Sequence, residues 1–289
     1  MALKLPFLRR RARKPIPILA YHALNAQAKD YASNDHVALE EDLKLVRRLG
    51  FRVARLVDIA ACTWSRAPSP LDSGSWVGIS FDDGTDYDYF DIVGHPYLGD
   101  VKSFYRILKE AAAEVGPEWP RPTGTSFVIA SPEARVVLDR TCIAGLDQWR
   151  DVWWKEAALS GILDIGNHSW DHTHPTLDRV AQRDQQKGTF KGIDNQADAD
   201  AQIVQADEYI KRLTSGRTAP LFAYPYGDVP DYLVREYFPR RMSRHGMLAA
   251  FSTAGDYVRA DSDRWSLPRF VCGYHWKSPE GLETILRGA

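Results

Sequence analysis

Two kinds of pattern alternate along most of the chain. Short runs of branched aliphatic and aromatic residues predict buried strands, which fall at 17–21, 51–55, 76–81, 125–130, 163–167, 221–224, 248–252 and 269–271. Stretches with apolar residues three or four positions apart predict amphipathic helices, which fall at 37–49, 101–115, 151–160, 197–213, 231–238 and 279–286. Strands therefore alternate with helices almost from end to end.

This alternation predicts parallel β–α–β units. Seven or eight such units in one chain favour an α/β fold built as a single (β/α) barrel, distorted or incomplete, over an open doubly wound sheet. The Gly-rich phosphate loop of dinucleotide-binding proteins does not follow the first strand, which argues against that class. We expect a basic tail over 1–15, then one barrel domain over 16–289 with an enlarged segment at about 85–160.

Composition narrows the class of protein further. The 37 Lys and Arg nearly balance the 38 Asp and Glu, for a formal net charge of −1, so no overall field would attract nucleic acid. One basic cluster lies near the N-terminus, formed by Arg9, Arg10, Arg11, Arg13 and Lys14. We interpret it as a solvated tail, with weak contact to anionic lipid or an acidic partner as the alternative.

The cysteines and the hydropathy suggest a compartment. Cys62, Cys142 and Cys272 are odd in number and far apart, which favours buried thiols over disulfides or a zinc site. No segment has the roughly 18 consecutive apolar residues of a membrane span, and no segment has the order of a secretory signal. We therefore expect a cytoplasmic protein, peripheral to a membrane only if the basic tail binds one. The sequence indicates no oligomeric state.

Polar side chains that suit catalysis follow several of the predicted strands. In a (β/α) barrel the carboxyl ends of the strands surround one mouth, where active sites form. The residues that meet this condition are Asp82, Asp83, His168, His172 and Tyr226, and a late predicted strand begins at Arg269 and leads to His275. If the barrel is correct, they lie close together although they are far apart in sequence.

One carboxylate and two imidazoles form a suitable ligand set for Zn²⁺, Co²⁺ or Ni²⁺, with positions left open for water and substrate. Such a metal lowers the pKa of a bound water from 15.7 towards about 7 and polarises a carbonyl. A second carboxylate beside the ligand can then act as general base. An arginine would hold that base ionised, and a histidine across the site could protonate a leaving amine.

Each of these features has an ordinary structural explanation when it is taken alone. Asp-Asp-Gly after a strand is usually a turn, and His-x-x-x-His is often a surface pair. Arg269 alone would be a surface ion-pair partner, and His275 alone a loop histidine. Their joint occurrence, each at a predicted strand end, is what favours the catalytic interpretation.

The motifs resemble those of the polysaccharide deacetylase family, carbohydrate esterases with a nodulation-type deacetylase domain. The family's Thr-Phe-Asp-Asp-Gly is represented by residues 80–84 (Ser-Phe-Asp-Asp-Gly), and its His-(Ser/Thr)-x-x-His by residues 168–172. Its Pro-(Tyr/Phe)-Gly is represented by residues 225–227, and the opening Leu-Ala-Tyr-His at 19–22 is also similar.

The resemblance implies a role for each matching residue. It implies Asp82 as general base, and Asp83, His168 and His172 as ligands of a divalent metal, zinc above all, with cobalt or nickel as alternatives. It also implies that the backbone N–H of Tyr226 stabilises the tetrahedral oxyanion.

The chain departs from the family pattern in three places. Ala223 stands where the family usually has an arginine, and we expect Arg269 to replace that arginine as the partner of Asp82. No late Leu-x-x-His motif is evident, so we assign the general acid to His275, with His22 and His174 as alternatives. The 83 residues at 85–167, between the first two motifs, are also many for the family.

The sequence thus predicts a metal-dependent hydrolase that removes N-acetyl groups from a glycan of N-acetylhexosamines, or from a glycan precursor. Hydrolysis of a cyclic imide or an O-acetyl ester is a second possibility, and a non-catalytic glycan-binding barrel is a third. Four tryptophans could stack on sugars at the mouth or pack in the core, namely Trp153, Trp154, Trp170 and Trp276.

Overall fold

The computed structural model describes residues 13–65 and 67–289. Its strands are β1 (Ile18–His22), β2 (Phe51–Ala54), β3 (Ser75–Asp82), β4 (Ile92–His95), β5 (Gly99–Val101), β6 (Gly124–Val128), β7 (Leu163–Asn167), β8 (Leu221–Ala223), β9 (Ala249–Phe251) and β10 (Phe270–Val271). Eight of them form one parallel sheet in the order β10-β1-β3-β6-β7-β8-β9, with β2 also paired to β3. The strands β4 and β5 form a separate antiparallel hairpin.

Helices connect the strands of the sheet. They are α1 (Asp35–Arg48), α2 (Leu56–Cys62), α3 (Phe104–Glu114), α4 (Pro132–Cys142), α5 (Trp154–Ser160), α6 (Gln196–Ala199), α7 (Gln205–Leu213), α8 (Phe238–Arg240), α9 (Met242–His245) and α10 (Pro279–Arg287). A π-helical turn, Asp200–Val204, joins α6 to α7, and a second one, Leu233–Tyr237, leads into α8. Side chains cap several helices, for example Asn34, which accepts hydrogen bonds from the backbone N–H groups of His36 and Val37 at the start of α1.

The segment that contains β10 joins the two ends of the curled sheet. Leu267 forms a parallel bridge with Phe251 of β9, and its backbone N–H donates to the carbonyl oxygen of Ala250 at 2.8 Å. Arg269 follows two residues later, and the next residue, Phe270, pairs with Leu19 of β1. The sheet therefore curves into a distorted (β/α) barrel, which confirms the fold class predicted from the sequence.

The eight predicted strands correspond to the eight strands of the barrel, with ends displaced by no more than two residues. The sequence pattern did not predict the β4–β5 hairpin or the helices α2, α4 and α9. The hairpin and α4 lie in the segment at 85–160, which is therefore folded and not a loose insertion.

Aromatic packing supports the strand that bears the two aspartates. Phe81 of β3 is fully buried and stacks on Phe104 of α3, with ring centroids 4.3 Å apart. Tyr21 of β1 packs against both rings at 6.3 Å. Burial of each large apolar side chain contributes roughly 1.5–3 kcal/mol, so the end of β3 is held in a rigid part of the core.

The structure also bears on the basic tail. Arg9, Arg10 and Arg11 lie outside the described residues, but Arg13 is described and is mostly buried. Its guanidinium donates to Asp72 Oδ1 at 2.6 Å and to the carbonyl oxygen of Cys62 at 2.7 Å. Among the described residues, no helix has both the length and the apolar character needed to cross a membrane.

Candidate active site

The loop after β3 turns sharply to separate its two aspartates. Asp83 has a φ of 76° and Gly84 a φ of 70°, in the left-handed region that favours glycine. A Cβ on Gly84 would lie 2.5 Å from Cγ1 of Val128 and 2.8 Å from its Cα, so only glycine fits against β6. The turn points Asp82 and Asp83 at different partners.

Asp83 lies beside the two histidines of the loop after β7. Its Oδ1 is 3.6 Å from Nε2 of His168 and 3.7 Å from Nε2 of His172. One potential ligand atom from each residue lies within 4.8 Å of the others. These separations suit a tetrahedral zinc site, in which each ligand atom lies about 2.0–2.2 Å from the ion.

The two imidazoles are buried and differ in how they are oriented. Nδ1 of His168 lies 2.9 Å from the carbonyl oxygen of Ala223, a contact that turns Nε2 towards Asp83, as in many metal sites. Nδ1 of His172 is buried and has no hydrogen-bond partner among the described residues. Burial, together with the nearby His168 and His174, lowers the pKa of His172 well below its usual value, so its ring is neutral and has a free nitrogen lone pair.

Asp82 is held by an arginine that directly precedes β10. Arg269 is fully buried, and its two terminal nitrogens donate to the two oxygens of Asp82 at 2.7 and 2.8 Å. The same guanidinium donates to Ser80 Oγ at 3.1 Å and to the carbonyl oxygen of Ser252 at 3.2 Å. Burial alone would raise the pKa of Asp82, but the charges of Arg269 and His168 outweigh it and lower the pKa below the usual range. Asp82 is therefore ionised.

Three histidines were candidates for the general acid, and the structure separates them. Nε2 of His22, at the end of β1, lies 4.0 Å from Oδ2 of Asp82, and its side chain is one-third exposed. His22 and His174 both line the cavity above the aspartates. His275 does not line it, and its Nδ1 accepts a hydrogen bond from the backbone N–H of Val271 at 2.8 Å. The assignment of the acid to His275 therefore has no geometric support.

The two aspartates and four of the histidines line one cavity of about 650 Å³, namely Asp82, Asp83, His22, His168, His172 and His174. Its rim includes the rings of Tyr226 and Tyr274, which are 42% and 79% exposed. The Tyr226 ring packs against His172, with centroids 4.4 Å apart, and its backbone has a φ of 60°. Its hydroxyl is half-buried, and burial followed by the charge of Asp83 raises its pKa above the usual value.

The tryptophan that lines this cavity is Trp149, which the sequence analysis did not select. Its Nε1–H donates to the backbone carbonyl of Asp83 at 3.1 Å, so it also supports the turn after β3. Trp153, Trp154 and Trp276 are buried, and, with Trp170, are absent from the cavity lining. No periodic pattern marks Trp149, since it lies in an irregular segment between α4 and α5.

The cysteines only partly match the expectation of buried thiols. Cys62 and Cys272 are buried and free, but Cys142, at the end of α4, is exposed and lines the cavity. Its exposure follows from its place in the last turn of α4, at the cavity wall. The prediction of a buried thiol was wrong for Cys142.

Comparison with known proteins agrees with the motifs. Residues 124–239 match the family model described as polysaccharide deacetylase. The resemblance to the polysaccharide deacetylases is confirmed. The matched segment includes His168, His172 and Tyr226 but begins after the two aspartates of β3. A search of curated protein sequences found no match.

Several solved structures of deacetylases share the fold. The Streptococcus pyogenes deacetylase PplD, in complex with acetate, is similar over 95% of this chain and 99% of its own, with 17% identity and a TM-score of 0.59. IcaB from Ammonifex degensii is similar over 95% and 96%, with 17% identity and a TM-score of 0.60. A de-N-acetylase from Aggregatibacter actinomycetemcomitans is similar over 96% and 100%, with 13% identity and a TM-score of 0.59. At 13–17% sequence identity, the similarity to these structures shows a shared fold and nothing more.

One departure from the polysaccharide deacetylase motifs has a structural counterpart. Ala223, where the family usually has an arginine, is fully buried in β8, and its carbonyl oxygen contacts His168. The guanidinium beside Asp82 belongs instead to Arg269, just before β10. One position is the last residue of β8 and the other directly precedes β10.

Proposed function

We propose that the protein is a metal-dependent hydrolase that removes N-acetyl groups from a glycan, or glycan precursor, that contains N-acetylhexosamine. The observation that carries this proposal is the juxtaposition at the mouth of the barrel. A carboxylate and two buried imidazoles converge there, and a second carboxylate held by a buried arginine lies next to them. The family match and the deacetylase structures support the same reaction class.

In this proposal Asp83, His168 and His172 hold the metal. Their one oxygen and two nitrogen donors suit zinc, with cobalt or nickel as alternatives. When bound, the metal supplies Lewis-acid chemistry, in which it polarises the acetyl carbonyl and lowers the pKa of water. Every other part of the reaction falls to residues of this chain.

Asp82 acts as the general base. It is ionised, and each of its oxygens retains a lone pair beyond the one that Arg269 engages. It takes a proton from the water that attacks the acetyl carbon. Arg269 is a positioning residue, because it orients the carboxylate and keeps it charged. The backbone N–H of Tyr226 is proposed to donate to the oxyanion.

His22 replaces His275 as the proposed general acid. It lines the cavity on the side of Asp82, whereas the ring of His275 is engaged by the backbone of Val271. His22 protonates the amine nitrogen while the C–N bond breaks, and acetate and the free amino sugar leave. His174 is the remaining alternative, since it also lines the cavity.

The proposal is tested by the release of acetate from chitooligosaccharides, measured beside ring opening of a cyclic imide and release from an O-acetylated sugar. We expect turnover on the N-acetylated substrate, and loss of that turnover in Asp82→Asn with metal content unchanged. Preference for the imide or the O-acetyl ester would overturn the N-acetyl assignment. Binding of the glycan without turnover on any substrate would indicate a non-catalytic binding protein.

A further inference from the structure

The π-helical turn Asp200–Val204 lies against the loop that bears the two histidines. It interrupts one long helix, with α6 on its N-terminal side and α7 on its C-terminal side. A π-helical turn inserts an extra residue into an α-helix, and such turns occur frequently at functional sites. Two of its residues, Gln202 and Ile203, are fully buried, and both contact the histidine loop.

Gln202 makes three hydrogen bonds to two consecutive residues of that loop. Its Oε1 accepts from the backbone N–H groups of Trp170 and Asp171, at 3.2 and 3.4 Å. Its Nε2 donates to Oδ1 of Asp171 at 2.7 Å. Trp170 and Asp171 lie between His168 and His172, so a single side chain of the π-helical turn engages the centre of the loop.

Asp171 extends this contact along the loop. Its Oδ1 also accepts from the backbone N–H of Thr173 at 2.9 Å, and its Oδ2 from that of Ala181 at 2.6 Å. Thr173 and the preceding His172 have φ values of 45° and 59°, a region that non-glycine residues occupy only when their surroundings hold them there. The bonds to Asp171 are among the contacts that hold them.

Ile203 anchors the start of the same loop. Its backbone carbonyl accepts a hydrogen bond from Nδ2 of Asn167 at 2.9 Å. Oδ1 of Asn167 in turn accepts from the backbone N–H of Ser169 at 2.8 Å. Neighbouring residues of one π-helical turn thus fix the residues on both sides of His168.

We propose that Gln202 is a positioning residue for metal binding, which fixes the histidine loop so that His168 and His172 present their Nε2 atoms to Asp83. This inference rests on the proposed function, since it assumes that these three residues bind a metal. Residues that orient metal ligands typically change metal affinity by 10–100-fold when they are replaced. Gln202 would act in this way through Asp171 and the loop backbone, without contact to the metal.

The chain offers a matched control. Gln182 is also buried, at 2% exposure, but its amide nitrogen and oxygen have no hydrogen-bond partner in the part of the chain that the structure describes. Gln202→Met and Gln182→Met make the same chemical change at two buried sites. The zinc dissociation constant is measured by competition with a chromophoric chelator, and the visible spectrum of the Co²⁺-loaded protein reports the ligand geometry.

For Gln202→Met we expect a zinc dissociation constant raised about tenfold and an altered Co²⁺ spectrum. For Gln182→Met we expect a dissociation constant within about twofold of wild type. Gln202→Glu, which keeps an acceptor for the two backbone N–H groups but opposes the Asp171 carboxylate, is expected to weaken zinc binding as well. Adding Asp171→Asn to Gln202→Glu restores a donor–acceptor pair between the two side chains. This double variant is expected to recover part of the lost zinc affinity.

The outcomes separate this inference from the proposed function. If wild-type protein binds neither zinc nor cobalt, the proposed function fails. If wild type binds zinc but the Gln202 variants match it in affinity and spectrum, only the role of Gln202 is refuted. An equal loss of zinc affinity in Gln182→Met would also refute the role of Gln202. Should Gln202→Met not fold, Gln202→Glu and its Asp171→Asn partner give the same comparison.

Discussion

Asp82 and Asp83 are neighbours in the chain but occupy two different regions of the site. Asp82 is 4% exposed and receives two hydrogen bonds from a fully buried arginine. Asp83 has a side chain 22% exposed, and its Oδ1 lies 3.6–3.7 Å from two imidazole nitrogens. The left-handed conformation of Asp83 directs the two side chains to different partners. The charge of Asp82 is compensated by Arg269, whereas Asp83 is placed to bind a cation.

The difference between the two regions determines what each residue can do. On the arginine side the negative charge is neutralised within the protein, so Asp82 has no need of a metal. On the imidazole side the Nε2 atoms of His168 and His172 lie beside Asp83, where they can offer lone pairs to a cation. We therefore expect substitutions on the first side to affect stability and those on the second to affect metal binding.

The largest effect is expected from Asp83→Asn. The variant loses a charged ligand, so bound metal should fall well below one equivalent and acetate release should be abolished. The free energy of unfolding of the metal-free protein should change little, because the Asp83 side chain is partly exposed. Elemental analysis and denaturant titration measure the two quantities. A metal-loaded, active Asp83→Asn protein would remove the distinction between the two regions.

Arg269→Met should give the largest loss of stability. It leaves Asp82 buried without its partner, and loss of one member of a buried ion pair typically costs about 3–5 kcal/mol. Arg55→Met is the control, since Arg55 pairs with Asp164 at 2.9 Å but is half exposed; a surface pair contributes at most about 1 kcal/mol. The free energy of unfolding is measured by urea titration. Equal losses of it in the two variants would contradict the account.

The double variant Asp82→Asn with Arg269→Met sharpens the same point. Because each single substitution leaves one buried partner uncompensated, the double variant should be less destabilised than the sum of the two single variants. Strict additivity in denaturant titration would mean that the two side chains do not interact in solution.

His22→Asn should lower kcat without loss of metal. General acid catalysis contributes about 10²–10⁴-fold, so a decrease in that range is expected from steady-state assays of acetate release. His275→Asn is the control and should retain kcat within about threefold, far below such a catalytic contribution. The reverse result, with His275 essential and His22 dispensable, would restore the assignment made from the sequence.

The smallest effect is expected at the exposed rim of the cavity. Stacking of a sugar on the Tyr274 ring is worth on the order of 1 kcal/mol, so Tyr274→Ala should raise KM for a chitooligosaccharide about fivefold and leave kcat unchanged. Tyr97→Ala is the control, because Tyr97 is 81% exposed and does not line the cavity. No difference in KM between the two variants would show that Tyr274 does not contact substrate.

The barrel could be predicted because its strands are short apolar runs bounded by polar residues. The β4–β5 hairpin gave no such signal, since Val93 and Tyr97 are 78% and 81% exposed. Helix α4 did have a detectable sequence signal. Ser131 caps it and Pro132 occupies its first turn, a combination typical of helix starts. The π-helical turn could not be predicted from the sequence, because one inserted residue hardly changes the spacing of apolar positions along a helix.

Asp82, Asp83, His168 and His172 could be selected because they lie at the carboxyl ends of strands, where barrel active sites form. Arg269 could be paired with Asp82 from its place at a late strand and from the missing arginine at Ala223. The orientation of His275 could not be predicted, because it lies in a tight turn where its Nδ1 accepts a hydrogen bond from the backbone N–H of Val271. Gln202 gave no signal, since a glutamine on a helix resembles an ordinary surface residue.

The central claim is that metal held by Asp83, His168 and His172 is required for deacetylation. The most direct test strips metal from the wild-type protein with a chelator and then adds zinc back in measured equivalents, while acetate release from a chitooligosaccharide is followed. The account predicts that activity disappears on stripping and returns in full at one equivalent of zinc per chain. Undiminished activity in the stripped protein would contradict it.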